Sequence, residues 1–180
     1  EELAVQIPIL KDVLDSLGIM RLELEGYEAD DLIGTVSRIC GEGGHECVIV
    51  TGDKDSFQLI KKTKNIRHIK SRMGKTEYTP EVFVEEYGFA PKRIVDLKAL
   101  MGDASDNIPG VKGVGEKTAL ELIRTFGTLE KIYADVGALE IKDSLKTKLL
   151  EGASDAEMSY SLATIEKNVP IDFTPESCIF

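Results

Sequence analysis

Apolar residues recur every three or four positions along most of the chain, which is the spacing of helices that bury one face. Turn-forming residues stand at several ends of these segments, such as Thr79-Pro80 before one and Gly88 after it. The predicted helices cover residues 3–17, 28–40, 80–87, 91–101, 116–126, 128–134, 142–151 and 155–166. The tail over residues 169–180 lacks this spacing, and we expect it to be extended.

Alternating or continuous apolar residues predict four short strands. They are residues 19–24, 47–50, 66–70 and 76–78. The first strand, the helix over residues 28–40 and the second strand follow one another at the spacing of a βαβ unit, whose strands are parallel. The last two strands flank Met73-Gly74, which predicts a hairpin, and residues 55–60 are expected to form a short helix.

Strand patterns are nearly absent from the second half of the chain. The fold class is therefore predicted to be α/β, with a parallel-sheet core followed by an all-α region. We place the core in residues 1–95, the helical region in 96–170 and an extended tail or linker in 171–180.

Length and composition narrow the class of protein. A chain of 180 residues can form one domain, or a domain with an appendage. No apolar stretch is long enough for a membrane span, and the three cysteines form no CxxC pair, which favours reduced thiols over disulfides or zinc. The start, Glu-Glu-Leu-Ala, has neither an initiator Met nor a signal pattern, and we interpret it as the cut end of a longer protein.

The net charge of −10 argues against nucleic acid as a partner, but the charge is unevenly distributed. Residues 56–76 contain no acid and seven cations, and further cations surround the glycines near residue 113. The cations are Lys61, Lys62, Lys64, Arg67, Lys70, Arg72 and Lys75 in the first group, and Lys112, Lys117 and Arg124 in the second. Such surfaces can bind DNA, although a charge run can also be a solvated face.

Carboxylates form three groups at the ends of predicted elements. They are Glu28, Asp30 and Asp31 in the first turn of a helix, Asp53 and Asp55 after the strand 47–50, and Asp103 and Asp106 before a glycine-rich segment. Each group alone has a local explanation, because acids favour helix N-termini and Asp favours turns. If the three groups converge, however, they require cations, and two Mg²⁺ ions could then assist phosphodiester hydrolysis.

The segment Ile108–Gly115, between two predicted helices, has the layout of a helix-hairpin-helix motif. Glycines 110, 113 and 115 allow close approach of the backbone, whose N–H groups can bind a DNA phosphate without recognising a base. A tight turn made only for packing is the alternative.

Three segments together resemble the 5′–3′ exonuclease domains of bacterial DNA polymerase I, in the flap endonuclease and PIN-like family. They are Gly26–Asp31, Thr51–Asp55 and Met101–Ala119. The resemblance implies a PIN or Rossmann-like core followed by a helix-hairpin-helix region. It also implies a site for two Mg²⁺ or Mn²⁺ ions on all seven carboxylates and a K⁺ ion at the hairpin near Val111 and Val114. The DNA-binding residues would be Gly110, Lys112, Gly113, Gly115 and Lys117.

The resemblance further implies hydrolysis of DNA or RNA phosphodiesters at 5′ ends and flaps, in replication and repair. Partners would be flap or nicked DNA, RNA primers and the rest of a polymerase chain, in a monomer located at the bacterial nucleoid in the cytoplasm. The family begins with a strand and a basic arch that nothing before Glu1 supplies. We therefore expect this piece alone to be inactive, with Asp55, Asp103 and Asp106 as its most intact metal position.

Two other functions fit parts of the sequence. Val48–Asp55 resembles the start of haloacid-dehalogenase-type phosphatases, in which Asp53 would be the nucleophile. A non-catalytic module that binds DNA structures would use the hairpin and the basic run, and it would bind flap DNA equally well in a chelator. A third possible function is that of an interaction surface within a larger replication protein.

Overall fold

The computed structural model describes residues 2–61, 64–70 and 74–178, with side chains except those of residues 2 and 64–76. Its helices are α1 Glu2–Ser16, α2 Ala29–Glu42, α3 Pro80–Tyr87, α4 Ile94–Met101, α5 Glu116–Phe126, α6 Leu129–Ala134, α7 Asp143–Glu151 and α8 Ala153–Ala163. Its strands are β1 Cys47–Thr51, β2 Lys64–Lys70 and β3 Gly74–Tyr78. The predicted helices are thus confirmed, although the one at 91–101 begins with a 3₁₀ turn, Pro91–Arg93.

The sheet has the order β1-β2-β3. β1 and β2 are parallel, with Cys47 opposite Lys64, and the short 3₁₀ helix Lys54–Leu59 lies between them in the chain. β2 and β3 are antiparallel, with Ile66 opposite Tyr78, so the predicted hairpin is confirmed. The predicted turn residue Met73 lies outside the described residues.

The strand predicted over residues 19–24, and with it the βαβ unit, is wrong. This segment has no regular structure, and the parallel partner of β1 in the described sheet is β2. Within this segment Arg21 forms ion pairs with Asp15 of α1 and with Glu23, so its charged side chain contacts the preceding helix.

The chain divides into two compact units, residues 1–46 with 166–180 and residues 47–165. In the first unit the C-terminal segment contacts α2. The Thr35 hydroxyl accepts a hydrogen bond from Val169 N at 3.1 Å, and Arg38 Nε donates to the Lys167 carbonyl at 2.7 Å. Within the described residues, every helix is too short or too polar to cross a bilayer.

An aromatic cluster forms one core of the second unit. Phe57 from the 3₁₀ helix packs against Tyr78 and Phe83, with ring centroids 4.6 Å and 5.4 Å apart. Phe83 also stacks on Tyr87 at 4.3 Å and contacts Phe89. Phe57 and Phe83 are 1% and 0% exposed, which fixes the 3₁₀ helix and therefore the position of Asp55, two residues before Phe57.

Helix α4 is the centre of the helical part of the second unit. Residues 94–100 are all buried, and the helix packs against α5 and α8. Two buried residues of α4 are charged, Asp96 and Lys98. Asp96 has a structural role, because its Oδ1 accepts a hydrogen bond from Leu129 N at the start of α6 at 2.8 Å. Lys98 belongs to the site described next.

Candidate metal and nucleic-acid site

Three predicted carboxylates of the second unit meet beside α4. Asp55 comes from the 3₁₀ helix after β1, and Asp103 and Asp106 come from the turn that follows α4. One carboxylate oxygen from each lies within 4.8 Å of the other two. Opposite ligands of an octahedral Mg²⁺ ion are about 4.2 Å apart, so these oxygens fit a single ion after small movements.

The same carboxylates line an open cleft of about 490 Å³. Asp53 lines this cleft too, so the cleft gathers four of the seven predicted metal ligands. A fifth acid that borders it, Glu116 at the start of α5, was not among our predicted site residues. Glu116 lies in the first turn of a helix, where the helix dipole alone favours an acid. The sequence therefore offered no reason to assign it to a site.

The Lys98 ammonium lies among the three carboxylates. It forms an ion pair with Asp55, lies 2.8 Å from Asp103 Oδ2 and lies 3.7 Å from Asp106 Oδ2. The Lys98 side chain is only 9% exposed, whereas that of Asp106 is 52% exposed. The cluster therefore has a buried side closed by lysine and an open side bordered by Asp106.

The electrostatics of the cluster follow from these contacts. Hydrogen bonds from Lys98 and Ser105 lower the pKa of Asp103 to about 2, so this carboxylate stays ionised in moderately acidic solution. Burial alone would lower the pKa of Lys98, but its hydrogen bonds to Asp103 and Asp55 outweigh burial and raise the pKa. Burial raises the pKa of Asp55, against the opposing effect of Lys98.

Asp53 has a local structural role besides its position in the cleft. Its Oδ1 accepts a hydrogen bond from Asp55 N at 2.9 Å and caps the 3₁₀ helix. This contact orients the backbone that carries Asp55. A direct metal contact of Asp53 stays a prediction.

The first acidic group belongs to the other compact unit. Glu28 and Asp31 form a capping box at the start of α2, and Asp31 Oδ1 also accepts a hydrogen bond from Glu166 N at 2.8 Å. Asp30 lies in the same first turn. Glu28 and Asp31 thus stabilise the N-terminus of α2, as the local explanation of this group predicts. A metal-binding role of Glu28, Asp30 and Asp31 stays a prediction.

The turn after α4 is held by backbone contacts that only glycine permits. Asp103 and Ile108 exchange two N–H···O bonds of 2.9 Å, and Val111 N donates to the Leu100 carbonyl. A Cβ on Gly110 would lie 2.2 Å from Gly102 N, and Gly110 has a φ of +62°. This contact locks Asp103 and the hairpin into one rigid segment.

The predicted DNA-binding residues of the hairpin differ in exposure. Lys112, Gly113, Gly115 and Lys117 are exposed, as a phosphate-binding surface requires. Gly110 is buried, and its N–H donates to Ser159 Oγ of α8 at 2.9 Å, so this group is already occupied within the protein. Gly110 therefore shapes the hairpin, and its predicted direct contact with DNA finds no support in this geometry.

The two predicted basic surfaces are described only in part. The side chains of the run from Lys62 to Lys75 lie outside the described residues. In the second group, Arg124 Nε donates to the Tyr87 carbonyl at 2.7 Å and so joins α5 to the end of α3. Arg124 is itself exposed, so this contact leaves all three cations of that group at the surface.

Two family models match the chain over its whole length. Residues 1–88 match the 5′–3′ exonuclease N-terminal resolvase-like domain, and residues 89–180 match the 5′–3′ exonuclease C-terminal SAM fold. The chain belongs to the 5′–3′ exonuclease family. The α/β core with a following helical region is therefore shown, and the phosphatase alternative loses its basis.

The relatives of this chain are longer proteins. DNA polymerase I of Bacillus subtilis (strain 168) is 44% identical over 172 residues, which are 95% of this chain and 19% of the relative. A 5′–3′ exonuclease of the same organism is 41% identical over 180 residues, which are 99% of this chain and 60% of the relative. The chain thus spans only part of the curated proteins that it matches.

A solved structure of the bacteriophage T5 flap endonuclease shares the fold. The two superpose with a TM-score of 0.69 at 25% sequence identity. The matched region covers 81% of this chain and 52% of the T5 chain. That structure is a pseudo-enzyme-product complex with DNA and metal ions. Similarity to this metal-bound nuclease thus agrees with the carboxylate cluster of the present chain.

Lys98 is a second site residue that sequence analysis missed, besides Glu116. It interrupts an otherwise apolar segment, Ile94–Met101, in which Asp96 is the only other charge. A lysine in a helix that is apolar all round predicts a buried ion pair, because burial of an unpaired charge is costly. This signal was present in the sequence, although it could not name Asp55 as the partner, 43 residues earlier in the chain.

Proposed function

We propose that this chain is part of a 5′–3′ exonuclease and flap endonuclease that hydrolyses DNA or RNA phosphodiesters at 5′ ends and flaps. The observation that carries the proposal is the cluster of Asp55 with Asp103 and Asp106, of which the last two lie in the turn that continues into the hairpin. Family membership supplies the reaction class. We assign the residues 1–95 to the nuclease core, 96–170 to DNA binding and 171–180 to a tail or linker.

The donor set of the cluster fits Mg²⁺ or Mn²⁺, because all three ligands are carboxylate oxygens and one side of the cleft is open. Asp55, Asp103 and Asp106 would hold one ion, with Asp53 in the same cleft. From the family resemblance we further propose metal roles for Glu28, Asp30 and Asp31. Divalent ions supply activated water and stabilise the charge that develops on the phosphate. The carboxylates hold the ions, and the fixed turn keeps Asp103 and Asp106 in place.

The hairpin would hold the DNA backbone. The exposed Gly113 and Gly115, with the N-terminus of α5, can donate N–H groups to a phosphate, and Lys112 and Lys117 add charge. The carbonyls of Val111 and Val114 are our candidates for a K⁺ ion between hairpin and phosphate. Contacts of this kind fix register without recognising a base.

We expect Lys112→Ala and Lys117→Ala each to weaken binding to flap DNA of any sequence. Each change should also reduce the slope of log affinity against log salt by about one unit, because one phosphate contact is lost. Fluorescence anisotropy at several salt concentrations measures both quantities in Ca²⁺ or chelator, so that no cleavage occurs. Lys131→Ala, which removes an exposed lysine of α6, is the matched control. An effect limited to one DNA sequence contradicts the assignment.

The proposed reaction is tested with a 5′-flap DNA labelled at its 5′ end. The natural full-length protein is the correct sample, because the chain spans 19% of its DNA polymerase I relative. We expect release of the labelled flap in Mg²⁺ or Mn²⁺ and none in chelator. Flap binding that is equal in both conditions, without cleavage, would instead favour the non-catalytic DNA-binding function.

The remaining partners are proposals from the relatives. Because DNA polymerase I relatives contain a chain of this kind as about one fifth of their length, we propose that the rest of a polymerase chain accompanies it. We further propose that the protein acts as a monomer at the bacterial nucleoid, on flaps, nicked duplexes and RNA primers.

A further inference from the structure

Lys98 occupies the position between the three carboxylates. Its ammonium contacts Asp55 and Asp103 and lies 3.7 Å from Asp106, while its stem is buried in the otherwise apolar helix α4. Among the described side chains, no other lysine or arginine forms an ion pair with these three acids. Lys98 thus offsets part of the negative charge of the cluster in the protein alone.

A divalent ion and this ammonium cannot share the centre of the cluster. The ion needs the same oxygens at about 2.1 Å, and the two cations would then be only a few ångströms apart in a partly buried cleft. Lysine can leave such a position because its four-carbon stem rotates and its charge is compact. The open side of the cleft, at Asp106, gives the ion access.

We propose that Lys98 is a built-in counter-cation that holds the three carboxylates together before a divalent ion binds and must leave them when it does. The inference rests on the proposed metal site. Lys98 is a positioning residue in this scheme, because it acts through the carboxylates. It stabilises the metal-free protein, and it weakens metal affinity because every ion that binds displaces it.

Lys98→Met tests the proposal, because methionine keeps the length of the side chain and removes the charge. In EDTA we expect the melting temperature to fall by about 4 °C, since three carboxylates within 4.8 Å lose their cation. We expect the Kd for Mn²⁺ to fall about tenfold, because the ion no longer competes with the ammonium. Free Mn²⁺ is measured by electron paramagnetic resonance on the full-length protein.

The controls separate this role from a structural one. A merely structural lysine would lower the melting temperature equally in EDTA and Mg²⁺, whereas we expect Mg²⁺ to restore that of Lys98→Met fully. Lys131→Met, which removes an exposed cation of α6, should change neither quantity. Lys98→Gln gives a second neutral variant that can donate a hydrogen bond, and its Mn²⁺ affinity should rise as well.

The outcomes distinguish the inference from the proposed function. Equal or weaker Mn²⁺ binding in both neutral variants overturns the inference, and the metal site stands if Asp106→Asn weakens binding. Absence of Mn²⁺ binding in the unchanged protein overturns both. Tighter binding in the neutral Lys98 variants, lost on adding Asp106→Asn, supports both.

Discussion

Asp106→Asn should lower the rate of 5′-flap cleavage about 10³-fold at saturating DNA, with little change in stability. The large effect is expected because a metal ligand contributes several kcal/mol to stabilising the charged transition state. The small change in stability is expected because the Asp106 side chain is 52% exposed and its ion pair with Lys98 spans 3.7 Å. Single-turnover cleavage of labelled flap DNA in Mg²⁺ measures the rate.

Asp155→Asn is the matched control, because it removes an exposed carboxylate from the first turn of α8. It should cleave at the rate of the unchanged protein. DNA affinity in chelator should be the same for both variants, since neither residue lies in the hairpin. Cleavage by Asp106→Asn within threefold of the unchanged rate would remove Asp106 from the metal site.

Gly110→Ala should destabilise the second unit by about 4 kcal/mol or more. The added Cβ would lie 2.2 Å from Gly102 N, a distance that real Cβ atoms do not reach, and the backbone φ of +62° disfavours alanine as well. The backbone must move, which breaks the buried hydrogen bond from Gly110 N to Ser159. Urea unfolding followed by circular dichroism measures the loss.

Gly115→Ala is the matched control in the same hairpin. A Cβ at Gly115 meets no atom within 4 Å, and its φ is −90°. We expect a cost of at most about 1 kcal/mol, because alanine is a poorer N-cap than glycine. Equal stability of the two variants would show that the close contact between Gly102 and Gly110 is not maintained in solution.

Local signals explain how much of the fold was predictable. Helix α3 begins at Thr79, whose hydroxyl accepts from Val82 N, and ends at Gly88 with a φ of +82°, and both signals are readable in the sequence. The segment over residues 19–24 shows the limit of such reasoning. Alternation identifies a strand only if a partner strand exists, and no local pattern reports that partner.

Four carboxylates of the candidate site were predictable from the sequence, but Glu116, Lys98 and the contacts that join the site were not. Asp103 and Asp106 were visible because they precede the glycine-rich hairpin, and Asp55 because it follows the apolar run of residues 47–50. Their link through Lys98 depends on how α4 packs, which no spacing along the chain encodes. Arg124 illustrates the same point, since a cation that suggested DNA binding donates to the carbonyl of Tyr87.

The paired hydrogen bonds between Asp103 and Ile108 have a consequence for where a strand is cut. Under the proposed function, the segment that holds the metal ion and the segment that binds a phosphate are continuous in the chain. The hydrogen bonds of the turn and the bond from Gly110 N to Ser159 hold them at a fixed distance from each other. The distance along the nucleic acid between the bound phosphate and the cleaved phosphodiester is then set by the protein. Substrates of different shape would be accommodated by bending of the nucleic acid, while this distance in the protein stays the same.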